Sequence, residues 1–296
     1  MKFVAREIKT NVNVSQEHPL KVFFKLLASL GVISVVVYIL LVAVTEIAIQ
    51  YIPQKINHAL SSLFVNQFPF SVGSDETSQK VQGLLDDVSR KLDLPHADSF
   101  KVSIIDMDDK NAFIFPGGNI FITTALLNEF NSENELTMVL AHEVGHYMNN
   151  DHLRALGRAA VLGGIVAVLG VGGAGEVGQF ITGFVNIFDL KYSRDQEERA
   201  DKFAVDILNQ YYGHASGAVS ALQLIENKEV EKWTLNGFLS THPVVVERVR
   251  YLQDLIRKRN FIIKGPSELK PLPFVLNLYE EESSEEIVEL EAEVSE

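Results

Sequence analysis

The chain has 296 residues and is 47% hydrophobic, enough for a substantial core, which excludes a disordered polymer. Its formal net charge of −13 is concentrated in Glu280 to Glu296, which hold nine Glu and no Lys or Arg, so about −4 is left for the remainder and nothing in it suggests a nucleic-acid partner. The absence of cysteine excludes disulfides, thiolate ligands and a cysteine nucleophile, so any bound metal must be held by nitrogen and oxygen.

Leu26 to Thr45 carries no charge, and these twenty residues make a helix of about 30 Å, the thickness of a bilayer's hydrocarbon core. The run is too long for the apolar part of a signal peptide and predicts a transmembrane helix. Lys2, Arg6, Lys9, Lys21 and Lys25 precede it, whereas the thirty residues after it offer only Lys55. That asymmetry predicts a cytoplasmic N-terminus, and a single span then puts the rest of the chain on the extracytoplasmic side.

From Thr77 to Leu94, Val81, Leu84, Leu85, Val88 and Leu92 recur at helical spacing before Pro95. Lys101 to Ile105, Asn111 to Phe115 and Asn119 to Thr124 read as strands, the last two joined by Pro116-Gly117-Gly118. Ser132 and Glu135 have capping-box spacing, which predicts a helix over 133–154 with Leu136, Val139, Leu140 and Val144 turned inward. Ala159 to Leu190 contains two short apolar stretches and predicts a helical hairpin that does not fully cross a bilayer. Further helices are expected over 195–210 and after Pro243, with Val246, Val249, Leu252 and Ile256 as a buried stripe.

Within the capped helix His142, Glu143, Val144, Gly145 and His146 spell HEVGH. Histidines four apart share one helical face and can reach one ion, and the adjacent glutamate can stand beside a metal-bound water. A hydrolytic zinc needs a third protein ligand. Glu197 and Asp201, also four apart, supply one candidate pair, in which Glu197 completes the shell and Asp201 accepts a hydrogen bond from a ligand imidazole. Glu198 is the rival for the third ligand. His152 lies six residues past His146, off its helical face, and reads as solvent exposed.

HEVGH, the SRxxExxAD pattern of Ser193 to Asp201, Asn111 with Gly117-Gly118, and Thr241-His242-Pro243 followed by Arg248 form an ordered set. Over roughly residues 75 to 258 the chain closely resembles the membrane-associated gluzincin peptidases that include HtpX and the CAAX prenyl endopeptidases. The resemblance implies that His142, His146 and Glu197 bind one zinc ion, that Glu143 is the base and that Asp201 supports a ligand. It selects Glu197 over Glu198 and brings His242 and Arg248 to the catalytic site. His242 is then expected either to stabilise the oxyanion or to plug the open zinc position reversibly. HtpX-like members carry two N-terminal spans and a cytoplasmic catalytic face, whereas this chain shows one span.

The run Asn119 to Thr124, with Asn119, Ile120, Phe121 and Ile122 as candidate contacts, is expected to be either an exposed edge that receives substrate backbone, with Asn111 and Gly118 orienting the peptide, or a strand of the core. The predicted organisation is a basic segment (1–25), a membrane helix (26–45), a linker (46–76), an α+β, mainly helical zincin-like domain with a small sheet (77–262), and a linker with an acidic tail (263–296), disordered from 279. The predicted function is zinc-dependent endopeptidase action on misfolded or membrane-associated proteins, with the bilayer as a second partner. The competing reading is an envelope chaperone or assembly scaffold whose zinc site is structural or vestigial.

Overall fold

The computed structural model describes residues 17–52, 57, 61, 76–168, 192–226, 242 and 245–274. The hairpin region beyond Val168 and the acidic tail lie outside these residues.

Helix α1 spans Pro19–Ile49, with Pro19 in its first turn and the His18 side chain accepting from the Leu20 N–H. Its length of 31 residues is roughly 46 Å, longer than the predicted span because the helix continues through flanking residues. Its apolar side chains are mostly exposed, and it is long and apolar enough to cross a membrane. One stripe differs. Ser34, Tyr38, Val42 and Thr45 are partly covered and Ile49 is buried, and this end of α1 packs on α5 (Asp151–Val168) where Gly157 faces Thr45.

Helix α2 (Glu76–Lys91) buries Val81, Leu84, Leu85 and Val88, as its period predicts. The strands β1 (Lys101–Ile105), β2 (Ala112–Phe115) and β3 (Asn119–Thr123) form one sheet in the order β1-β3-β2. β3 is parallel to β1 and antiparallel to β2. The expectation that Asn119 to Ile122 forms an open edge is therefore corrected: β3 is the central strand, and both sides of its backbone are already paired. β1's outer edge is occupied as well, because the Gln82 side chain of α2 accepts from the Val102 N–H at 2.7 Å and donates to the Phe100 carbonyl at 3.1 Å. The remaining edge is β2, which lies beside the metal-motif helix. Gly118 (φ +86°) forms the turn, and a Cβ there would stand 2.6 Å from the Ser99 carbonyl, so its role is to let the turn close.

After the short α3 (Thr124–Leu127), α4 runs over Glu133–Met148 and is buried at every residue from Asn134 to Tyr147. Ser132 caps it as predicted, but Glu135 accepts from the Asn131 N–H and from Ser220, one residue earlier than a capping box requires. The complete capping box belongs to α6 (Arg194–Tyr212), where Ser193 and Gln196 bond reciprocally. The predicted helix over 133–154 breaks at Asn149 and Asn150. Asn149 turns its amide back to the Gly145 carbonyl, and Asn150 adopts the left-handed conformation that asparagine tolerates, at φ +56°. α5 then starts in a new direction.

Helices α7 (Ala218–Glu226) and α8 (Val245–Arg259) complete a core shared by α2, the sheet, α4 and α6. The segment after α8 returns to the start of α4, where Lys270 accepts from the Glu133 N–H and donates to Asn134. α4 and α6 make the most extensive helix pair, and Gly145 allows it: a Cβ there would lie 3.0 Å from the Ala200 Cα. Gly145→Val should force the two helices apart and destabilise the fold by about 2–3 kcal/mol, an overpacking effect. Denaturant unfolding reads this directly, and an unchanged midpoint would contradict the packing described.

Candidate active site

α4 contributes His142, Glu143 and His146 from one face, α6 contributes Glu197 and Asp201, and α8 contributes Arg248, with His242 just before it. All seven side chains are buried. The ligand atoms of His142, His146, Glu197 and His242 lie within 4.8 Å of one another. His142 Nε2 is 3.1 Å from His146 Nε2 and 3.3 Å from His242 Nδ1. Glu197 completes the figure, with Oε1 3.0 Å from His242 Nδ1 and 3.5 Å from His146 Nε2, and Oε2 3.5 Å from His142 Nε2. Ligands held tetrahedrally by zinc at 2.0–2.1 Å stand about 3.3 Å apart, so this nitrogen-and-oxygen set has the dimensions of one zinc shell.

Each α4 histidine also has a carboxylate behind it. Asp201 Oδ1 is 3.0 Å from His142 Nδ1, as the i, i+4 pairing with Glu197 predicts. Asp151 Oδ2 is 3.0 Å from His146 Nδ1, and the sequence reading missed it. Asp151 is five residues from His146 and reaches back only because the chain turns at Asn150, so only a helix break recognised in Asn149-Asn150 would have exposed it. Gln196 donates to Asp151 at 2.8 Å and Arg199 stands 3.5 Å away. Tyr192, also missed, stacks on His146 with ring centroids 3.9 Å apart. Arg248 donates twice to Asp201 and pairs with Glu197 at 2.7 Å, tying the two carboxylates together.

Both oxygens of Glu143 are buried without a hydrogen-bond partner, and His242 Nε2 stands 3.5 Å from Oε1. Burial pushes its carboxyl up to about 7, with Glu197 adding to the shift and the neighbouring histidines and Arg248 opposing it. At Glu197 burial also acts upward, but His242, Arg248 and the two ligand histidines outweigh it and hold the group well below the carboxylate range. His242 is pushed down to about 3 by burial.

The remaining predicted residues divide. Asn111 is buried at the start of β2, and neither its side-chain oxygen nor its nitrogen has a hydrogen-bond partner. Asn119 bonds Ser61 and the Pro116 carbonyl, and Ile120, Phe121 and Ile122 are buried in the central strand, so none of them faces the cluster as an open edge. Glu198 is exposed. His152 is 1% exposed rather than solvated: it stacks on Tyr147 and approaches Asn57, because the break before α5 turns it inward.

The family model for peptidase family M48 matches residues 75–256. A metalloendopeptidase OMA1 of mitochondria from Danio rerio is 30% identical over 167 residues, 52% of this chain and 35% of the relative. Metalloprotease YcaL of Escherichia coli is 27% identical over 155 residues, 50% of this chain and 59% of the relative. A protease HtpX homolog of Salinibacter ruber is 26% identical over 219 residues, 62% of this chain and 78% of the relative. The chain thus spans between about a third and three fifths of the OMA1 and YcaL relatives.

If the cluster holds a metal ion, Asp151→Asn should weaken its binding 10- to 100-fold, the usual effect of removing a carboxylate behind a ligand histidine. Competition with a chelator measures it, and wild-type affinity would contradict the role given to Asp151. Burial holds His152 down at about 3, so between pH 6.5 and 3 the folded chain binds fewer protons there than the unfolded one. Its contribution is intact above pH 6.5 and declines on acidification by about 1.4 kcal/mol per pH unit. His152→Gln should flatten that part of the stability curve, and an identical slope in both proteins would refute the assignment.

Proposed function

The chain belongs to peptidase family M48, and on that premise we propose that it is a membrane-anchored, zinc-dependent endopeptidase. The observation that carries the reading is the convergence of four ligand atoms within 4.8 Å of one another, with an unpartnered buried carboxylate beside them. His142, His146 and Glu197 would hold the ion. Zinc bound there would supply Lewis acidity, polarising the scissile carbonyl and acidifying water. Glu143 takes the proton of the attacking water and delivers it to the leaving amine, and a carboxyl near 7 suits both transfers at neutral pH.

His242 completes the ligand set in this arrangement, which favours the reversible plug over the oxyanion stabiliser. With an ion held by His142, His146 and Glu197, the His242 ring would have to withdraw to admit substrate and water. Arg248 is committed to Glu197 and Asp201, so its role is to position them. An extended polypeptide would add to the β2 edge, the strand beside α4, where the buried Asn111 amide offers it a donor and an acceptor. Substrates are misfolded or membrane-associated proteins brought to α1. The scaffold reading is disfavoured because a structural zinc site has no use for a buried, unpartnered Glu143, whose desolvation is costly.

Glu143→Gln should keep zinc and lose casein cleavage by a factor of about 10²–10⁴. Equal cleavage by the two proteins would defeat the mechanism. His242→Ala should raise turnover if the ring is a plug, and unchanged turnover with unchanged zinc affinity would remove it from the mechanism. The N-terminus is assigned to the cytoplasm and the peptidase domain to the far side. Because the chain has no cysteine, Lys258→Cys gives a single label site. An impermeant maleimide should reach it without permeabilisation, and labelling only after permeabilisation would reverse the orientation.

A further inference from the structure

Among the described residues a cavity of about 650 Å³ opens where α1, α5 and the start of α6 meet. Its walls include Glu46, Asp195, Arg154, Arg158, Arg199 and Tyr192. Glu46 is the first charged residue after the twenty uncharged residues from Leu26 to Thr45, so it marks the level at which α1 leaves the hydrocarbon. Arg154 and Arg158 both pair with Glu46 and therefore stand at the same level. Lipid phosphates lie in this layer.

Among the described residues the lining holds three guanidiniums, Arg154, Arg158 and Arg199, against two carboxylates, Glu46 and Asp195. Arg154 and Arg158 share the one Glu46 carboxylate, while Arg199 contacts Asp151 at 3.5 Å, an aspartate already engaged by His146 and Gln196. Arg154 is held below the usual arginine range by burial and by the positive charges of Arg199 and Arg158. Planar guanidiniums converging on a polar cavity are suited to bidentate contact with phosphate oxygens. Of the possible sources of phosphate, a lipid headgroup is favoured because Glu46, in the cavity wall, stands at the end of the uncharged, largely exposed apolar run of α1.

We propose that this cavity binds the phosphate of an anionic lipid headgroup, with Arg154, Arg158 and Arg199 as its ligands. Binding there reaches the catalytic cluster through a short path. Arg199 contacts Asp151, Asp151 holds His146, and the Tyr192 ring lies between the cavity and that same histidine. An anion that engages Arg199 therefore acts on the cation behind a zinc ligand's carboxylate, and membrane composition becomes an input to the site.

The test uses the full chain in detergent micelles offered phosphatidylglycerol and phosphatidylcholine in equal amounts, with retained lipid read by native mass spectrometry. Preferential retention of phosphatidylglycerol is expected, weakened about fivefold by Arg158→Gln, which leaves the Arg154–Glu46 pair in place. Loss of the preference is expected in Glu46→Gln/Arg154→Gln/Arg158→Gln, in which the carboxylate is removed with its partners. Zinc content checks that each variant is folded, independently of peptidase activity. Equal retention of the two lipids by the wild type, or a preference that survives Arg158→Gln unchanged, overturns the proposal. Thermal stabilisation by millimolar inorganic phosphate without any lipid preference assigns the cavity to a soluble phosphate and also overturns it.

Discussion

Four ligand groups from three places in the chain converge inside the protein with their ligand atoms within 4.8 Å of one another, and most of the peptidase domain serves that convergence. Bringing polar and ionisable groups together out of water is unfavourable unless each is paired or coordinates an ion. The fold meets this by layers of support. Asp201 and Asp151 each hold one imidazole, Arg248 ties Asp201 to Glu197, and Gln196, itself part of the α6 capping box, holds Asp151. Glu143 is the exception, buried and without a hydrogen-bond partner, which is the condition expected of a group kept for proton transfer.

Two backbone features make the convergence possible. Gly145, inside the metal motif, lets α4 and α6 approach closely enough for Glu197 to reach the α4 histidines. The left-handed Asn150 ends α4 one turn after His146 and returns Asp151 to it. Three consequences follow from that break: a second carboxylate–histidine pair, an inward His152, and an α5 that leaves toward α1.

The sequence was most legible where one local rule decided the outcome. Helical spacing predicts α2, α6 and α8, and the i, i+4 rule alone brings His142 to His146 and Glu197 to Asp201. Ser132 names the start of α4. The failures share a cause, since each depended on tertiary choices that local patterning does not encode. Hairpin signals pair β2 with β3 but do not say on which side β1 joins, and β1's pairing with β3 moved the open edge to β2. Nothing near Gln82 shows that its amide will close β1's outer edge. His152 was read from a continuous helix that is in fact broken, and Tyr192 carried no signal beyond standing next to Ser193.

The membrane helix and the catalytic cluster are close neighbours in this fold. Glu46, at the end of α1, is linked through Arg154 and Arg158 to the first turns of α5, which begins with Asp151. The central claim is that one zinc ion is held by His142, His146 and Glu197 with His242 in the fourth position. Zinc-edge X-ray absorption on the wild type and His242→Ala tests it most directly. One zinc per chain with three nitrogens and one oxygen in the first coordination sphere is expected, one nitrogen being replaced by oxygen in the variant. Substoichiometric zinc, or a coordination sphere unchanged by the substitution, would contradict it.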